Sequence, residues 1–109
     1  MDREQQEEQL FRLQAELCQA LADPTRLKLL ALLGARPQAV KELVSATGER
    51  QAKISQHLAI MRQRGIVRGE RVGGEVRYSL TDPRVLEACH LTREVLFQRL
   101  AQQASLVAH

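Results

Sequence analysis

The sequence contains no tryptophan, one tyrosine and two phenylalanines in 109 residues, so aromatic packing cannot build its interior. Leu, Val, Ile and Ala must fill the core, a composition that favours helices. Cysteine is equally scarce. Cys18 and Cys89 are too few for a disulfide-built scaffold, so any special role for them is ligand or redox chemistry. No apolar run reaches the roughly 20 residues a membrane span needs, and the polar, acidic stretch Met1 to Gln9 is unlike a signal sequence. The expectation is a soluble, cytoplasmic protein with no membrane partner. Glu16, Glu42, Glu87 and Glu94 form no evident catalytic pair. No nucleophile with a matched base, phosphate-binding glycine loop or cofactor signature is present either, so an enzyme is not expected.

What is present suffices for one compact domain over residues 1–109, with 44% hydrophobic and 27% charged residues. The net charge of +3 is a weak hint of a polyanionic partner. Its distribution is more informative. From Arg50 to Arg77 seven basic residues face two acidic ones, a local +5, whereas Met1 to Glu16 carries a local −3. The positive field is concentrated in the second half, ahead of the C-terminal segment.

Apolar spacing predicts the elements. Leu10, Leu13, Leu17 and Leu21 recur at three- and four-residue intervals in an amphipathic helix over about 5–22. Asp23 as N-cap and Pro24 at the first position start a second helix, apolar on nearly every face, that runs to Gly34 and is expected at the centre of the core. Val40, Leu43 and Val44 form the inner face of a short third helix stopping at Gly48. A fourth, from about Arg50 to Arg64, buries Ile54, Leu58 and Met61 and exposes Gln51, Lys53, Ser55 and Gln56, with His57 beside them. The period then changes to two. Residues 66–72 and 75–80 read as strands joined by Gly73-Gly74 in a tight hairpin, the only β structure expected. A last helix spans 82–103, with Leu86, Cys89, Arg93, Leu96 and Leu100 along one side.

This order is a mostly helical winged helix-turn-helix, with the helix-turn-helix at 38–64 and the hairpin wing at 66–80. A helix roughly 10–12 Å across fits a major groove about 12 Å wide. Gln51, Ser55, Gln56 and His57 can reach base edges, Arg50 and Lys53 can reach phosphates, and Arg71 and Arg77 near the wing tip can reach the backbone or a minor groove. His57 is read as a DNA contact in preference to a metal ligand, while Arg62 and Arg64 fit either a phosphate role or a solvated helix end. The stripes of the first and last helices exceed what one small domain can cover, so a homodimer through these helices is expected. The reading in another class is a winged helix that binds protein and not DNA; the exposed polar face beside a basic wing separates the two.

Ala20-Leu21-Ala22-Asp23-Pro24-Thr25-Arg26-Leu27-Lys28-Leu29-Leu30, then Ile54-Ser55-Gln56-His57-Leu58, Gly65-Ile66-Val67 and Val76-Arg77-Tyr78-Ser79-Leu80 resemble the ArsR/SmtB bacterial transcriptional repressors. The resemblance extends over about Gln5 to Gln103. It implies a homodimer on a palindromic operator, an inverted repeat, released by an inducer that is most often a metal or metalloid ion. Several positions depart from the family pattern. Where its metal sensors carry a Cys-x-Cys motif, this chain has Gln38-Ala39-Val40-Lys41-Glu42, and the family's four zinc-ligand positions hold Asp82, Arg84, Val95 and Gln98. A standard zinc or arsenic site is therefore disfavoured. The usual Ser cap of the recognition helix is replaced by Arg50. Cys18 and Cys89 remain as candidate sensing thiols, open to a disulfide, a polysulfide bridge or a thiophilic ion such as As(III), Cd(II) or Cu(I). Against this stand simple packing of two small apolar side chains and a constitutive repressor with no inducer.

Overall fold

The computed structural model describes residues 2–108; Met1 and His109 lie outside them. In chain order the elements are α1 (Arg3–Ala20), α2 (Pro24–Ala35), β1 (Gln38–Ala39), α3 (Val40–Thr47), α4 (Gln51–Gln63), β2 (Val67–Val72), β3 (Glu75–Leu80) and α5 (Arg84–Ala108). Local chemistry accounts for the boundaries. Asp2 and Gln5 form a reciprocal capping box at α1. The Asp23 carboxylate accepts from the Arg26 amide at 3.0 Å, with Pro24 at the first position of α2. Gly48 ends α3 in the left-handed region at φ 75°, its amide donating to the Val44 carbonyl at 2.8 Å.

The core is one cluster. Leu29, Leu30 and Leu33 of α2 meet Leu43 of α3 and Ile54, Leu58 and Met61 of α4, and Ile66 and Val67 close the cluster beneath the wing. α2 is thus the central helix expected from its composition, although Leu27 remains exposed.

The β structure exceeds the hairpin expected from the sequence. β1 pairs antiparallel with β3, Gln38 opposite Tyr78 and Ala39 opposite Arg77, giving a three-stranded sheet in the order β1-β3-β2. Two residues are too short for a period-two signal. Gln38 is buried, and its side-chain amide donates to the Leu32 carbonyl at 2.6 Å, so this polar residue is held by α2 and the sheet together. Gly69 in β2 lies against Val76 and Tyr78 of β3; a Cβ there would sit 3.0 Å from Val76 Cγ1 and 3.2 Å from Tyr78 Cε1. At the hairpin tip Gly73 and Gly74 take φ 57° and 87°, as a two-residue turn requires.

α1 and α5 join this body only in part, through Leu17 of α1 and Val85, Leu86 and Cys89 of α5, and their remaining turns extend beyond it. Of α1, only Ala20 is fully buried, while Leu10, Phe11, Leu13, Leu96, Phe97 and Leu100 are exposed, Phe97 to 71%. The radius of gyration is 17.0 Å, against about 13 Å for a compact domain of this length. The two long helices account for the excess.

Truncating the α4 side chain at the centre of the cluster tests this packing. Leu58→Ala is expected to lower unfolding free energy by about 2–5 kcal/mol in urea titrations. Leu91→Ala on the exposed side of α5 is expected to leave the stability of this core within about 0.5 kcal/mol.

Candidate nucleic-acid interface

The rotation of α4 about its axis decides what it presents. Ile54, Leu58 and Met61 face the core, leaving Gln51, Lys53, Ser55 and Gln56 exposed, with Gln56 opposite the buried stripe and the others at its flanks. Gln51 and Ser55 lie one turn apart, and Gln56 adjoins them. Arg50 occupies the N-cap of α4 without a side-chain capping bond, and its own side chain is exposed. The first turn therefore keeps free amide donors next to a cation, an arrangement that favours an anion. Lys53 is paired with Glu49 at 3.4 Å, a weak surface contact that leaves the ammonium available.

His57 is a correction to the sequence reading. It lies at the edge of the buried stripe, three residues after Ile54 and four before Met61, and its side chain is only 12% exposed. Its Nδ1 lies 3.2 Å from Arg26 Nη1 and 3.9 Å from an Asp23 carboxylate oxygen. A guanidinium only donates, so in the neutral ring Nδ1 accepts and Nε2 carries the proton. That Nε2 is enclosed without a partner. Arg26 also donates from Nε to the Ala20 carbonyl at the end of α1. His57 therefore ties α4 to the α1–α2 junction instead of standing on the exposed face. The i+3 and i+4 spacing to Ile54 and Met61 was the available signal; Asp23 and Arg26 gave none beyond the helix cap.

The wing also sorts its two arginines. Arg71 opposes Val76, whereas Arg77 opposes Glu70. Cross-strand partners share a face and successive residues alternate, so Arg71 and Arg77 lie on opposite faces. Arg71 is exposed near the tip. Arg77 is half-buried and 3.8 Å from both Glu42 of α3 and Glu75, so it braces the wing against α3. Arg64 pairs with Glu16 of α1 at 3.2 Å, and Arg62 is exposed.

Asp82, which occupies one of the family's zinc-ligand positions, is held by Arg84 at 2.7 Å, which keeps its carboxyl near a pKa of about 2. Among the described residues no group of three or more His, Cys, Asp or Glu could hold a metal ion. Cys18 and Cys89 both line one open groove between α1 and α5 of the same chain. Burial, and then the neighbouring Cys18, push the Cys89 thiol above its usual value.

A small sheet wing beside an exposed polar helix, carried on a three-helix core, defines a winged helix-turn-helix regulator. Residues 23–68 match the family described as bacterial regulatory protein, arsR family. The HTH-type transcriptional regulator Rv0081 of Mycobacterium tuberculosis is 34% identical over 92% of this chain and 89% of its own. Its crystal structure superposes with a TM-score of 0.77, covering 87% of this chain and 96% of that one. The transcriptional repressor SmtB of the same organism is 45% identical over 62% of this chain and 50% of its own. The homodimeric winged helix-turn-helix DNA-binding domain Mb0332 of Mycobacterium bovis gives a TM-score of 0.80 at 27% identity, covering 88% of this chain and 89% of that one. The chain belongs to the arsR family of transcriptional regulators.

The Asp23 cluster has a definite pH signature. The Arg26 amide, and then the charges of His57 and Arg26, hold the Asp23 carboxyl below its ordinary 3.8 despite partial desolvation. A lowered folded value stabilises the fold above the unfolded pKa, and the contribution disappears as pH falls through the folded value. Asp23→Asn keeps the capping acceptor and removes the charge. Urea unfolding is expected to show wild type more stable at pH 7, with the two proteins converging as pH falls below 3.8.

Proposed function

We propose that the chain is a homodimeric repressor that reads an inverted repeat with Gln51, Ser55 and Gln56 in successive major grooves and leaves it when an inducer binds. The observation that carries this reading is the exposed polar surface of α4, fixed by the buried stripe of the same helix and flanked by Arg50, Lys53 and Arg71. Two recognition helices on a two-fold axis match half-sites about 34 Å apart. The similar Mb0332 domain is homodimeric and DNA-binding, which supports a two-fold assembly here. In this assembly Leu10 and Leu13 of α1 and Leu96 and Leu100 of α5 supply the contact, since an apolar surface of that extent is covered in a stable protein. Arg71 anchors to the DNA backbone, while Arg77 contributes by holding the wing in place. His57 contributes by fixing the angle of α4.

The DNA reading divides cleanly by experiment. On DNA selected from a random pool, the double change Ser55→Ala and Gln56→Ala is expected to narrow the gap between selected and scrambled sites, by roughly 1–3 kcal/mol for each base edge no longer read. Lys53→Ala and Arg71→Ala are expected to weaken binding to all sequences alike and to reduce the salt slope by about 2 each, about 1 for each protomer's lost contact. Retained discrimination in the double variant would place the reading face elsewhere. Absence of salt-dependent DNA binding in wild type would favour a protein-binding winged helix.

The assembly has its own test. Leu96→Asp puts a charge on the exposed apolar side of α5 and is expected to convert the dimer to monomer in sedimentation at micromolar concentration. A wild-type monomer under those conditions would defeat the two-fold reading.

A further inference from the structure

The packing of α4 carries a titratable side chain, His57, to the edge of the core, where it is only 12% exposed. Its neutral ring accepts from Arg26 Nη1 at 3.2 Å through Nδ1 and encloses the Nε2 proton without a partner. A further proton can therefore be added only at the nitrogen that faces the guanidinium. We propose that His57 is a proton-responsive positioning residue for DNA recognition: the neutral ring holds α4 at the angle that reads base edges, and protonation at Nδ1 lowers discrimination between the operator and other DNA. This inference rests on the DNA-binding reading above and adds to it a dependence on pH.

Charge state decides which neighbour the ring keeps. An imidazolium has no acceptor, so protonation breaks the contact with Arg26 and sets two cations side by side. Asp23 stands 3.9 Å from the same nitrogen and is the ring's only carboxylate partner among the described residues. Its carboxyl, held below 3.8 chiefly by the Arg26 amide, stays ionised wherever an imidazole ordinarily titrates. The protonated ring is thus drawn from Arg26 toward Asp23. Charged groups on the adjoining elements are engaged elsewhere: on α4, Lys53 pairs with Glu49 and Arg64 with Glu16 of α1, while on α3 Lys41 pairs with Glu75 and Glu42 with Arg36 and Arg77. The exchange is left to Arg26 and Asp23.

Neither partner is free to follow the ring. Arg26 is bound through Nε to the Ala20 carbonyl, and Asp23 caps α2 by accepting the Arg26 amide at 3.0 Å, so the adjustment falls to α4. His57 directly follows Ser55 and Gln56 in that helix, and its displacement is shared with them. Contacts to base edges need close placement of the side chains that make them, whereas phosphate contacts carry no sequence information. An added positive charge strengthens binding to all sequences alike and cancels in a ratio of affinities. Discrimination is therefore the quantity that the proton changes.

The test uses the full chain, kept reduced, at constant ionic strength from about pH 8 to about pH 5. Fluorescence anisotropy gives the ratio of affinities for a site selected from a random pool and for its scrambled form, and NMR follows the His57 ring nitrogens and the Arg26 guanidinium. In wild type the ratio is expected to fall by about 5- to 10-fold, with the midpoint of the His57 titration. His57→Asn places an amide oxygen where Nδ1 stands and cannot titrate; it is expected to keep discrimination at the alkaline end and to lose the pH dependence. His57→Leu fills the space without an acceptor and is expected to discriminate poorly throughout. A flat ratio in wild type, a wild-type pH response in His57→Asn, or full discrimination in His57→Leu overturns the proposal. Should the variants fail to fold, the two wild-type midpoints still decide it, since a mismatch between them places the proton elsewhere. If wild type discriminates at no pH, the DNA-binding reading falls; whether the Arg26 signal then shifts with the His57 titration separately decides the exchange of partners.

Discussion

The seam between α2 and α4 constrains the rest of the molecule. Leu29, Leu30 and Leu33 on one side and Ile54, Leu58 and Met61 on the other are almost wholly removed from water. Each such side chain contributes about 1.5–3 kcal/mol by burial, so rotating α4 by even a third of a turn would forfeit several of these contributions. The direction in which Gln51, Ser55 and Gln56 face is therefore a consequence of core packing. No specific contact on the exposed side is needed to hold it. Positioning of this kind suits recognition, because a reading face carried by a rigid helix sacrifices little conformational freedom on binding.

The same seam explains why a histidine on α4 is not free. His57 shares the inner half of the helix with Leu58, but beyond the leucines it meets the polar start of α2. There Arg26 serves three groups at once: the Asp23 carboxylate accepts its backbone amide, and its guanidinium reaches the Ala20 carbonyl and the imidazole. A neutral imidazole with its only acceptor nitrogen turned to a guanidinium leaves its N–H enclosed and unpartnered, a cost of about 1–3 kcal/mol.

Legibility in the sequence follows the strength of the local signal. The buried trio of α4, the Asp23-Pro24 start of α2, the Gly48 stop and the Gly73-Gly74 turn each rest on chemistry within one or two turns of chain, and each stands where that chemistry predicts. The larger framework agrees as well, and membership of the arsR family accounts for the order of elements. What escapes a sequence reading is non-local. β1 exists only because β3 lies alongside it, and Gln38 stays buried because the Leu32 carbonyl is in reach. Arg77 reads as a free wing cation, but Glu42 lies on α3, 35 residues earlier in the chain. That Cys18 and Cys89 line one groove depends on how α1 and α5 are placed against the core, which periodicity alone does not specify.

Charge and packing divide the chain along different lines. The basic excess lies on α4 and the wing, whereas the acidic excess lies on α1, so a polyanion is drawn to one side and repelled from the other. Apolar exposure runs the opposite way: it is concentrated on α1 and α5 and sparse on the reading side. These two gradients orient the molecule without further instruction, because an apolar surface finds its like while a basic one finds phosphate. Glu16 and Arg64 meet at the boundary, joining the acidic helix to the end of the basic one at 3.2 Å. In water that pair contributes little stability. Its effect is geometric: together with the Arg26 contact to Ala20 it gives α1 two polar attachments to the α2–α4 unit, one at its end and one a turn earlier.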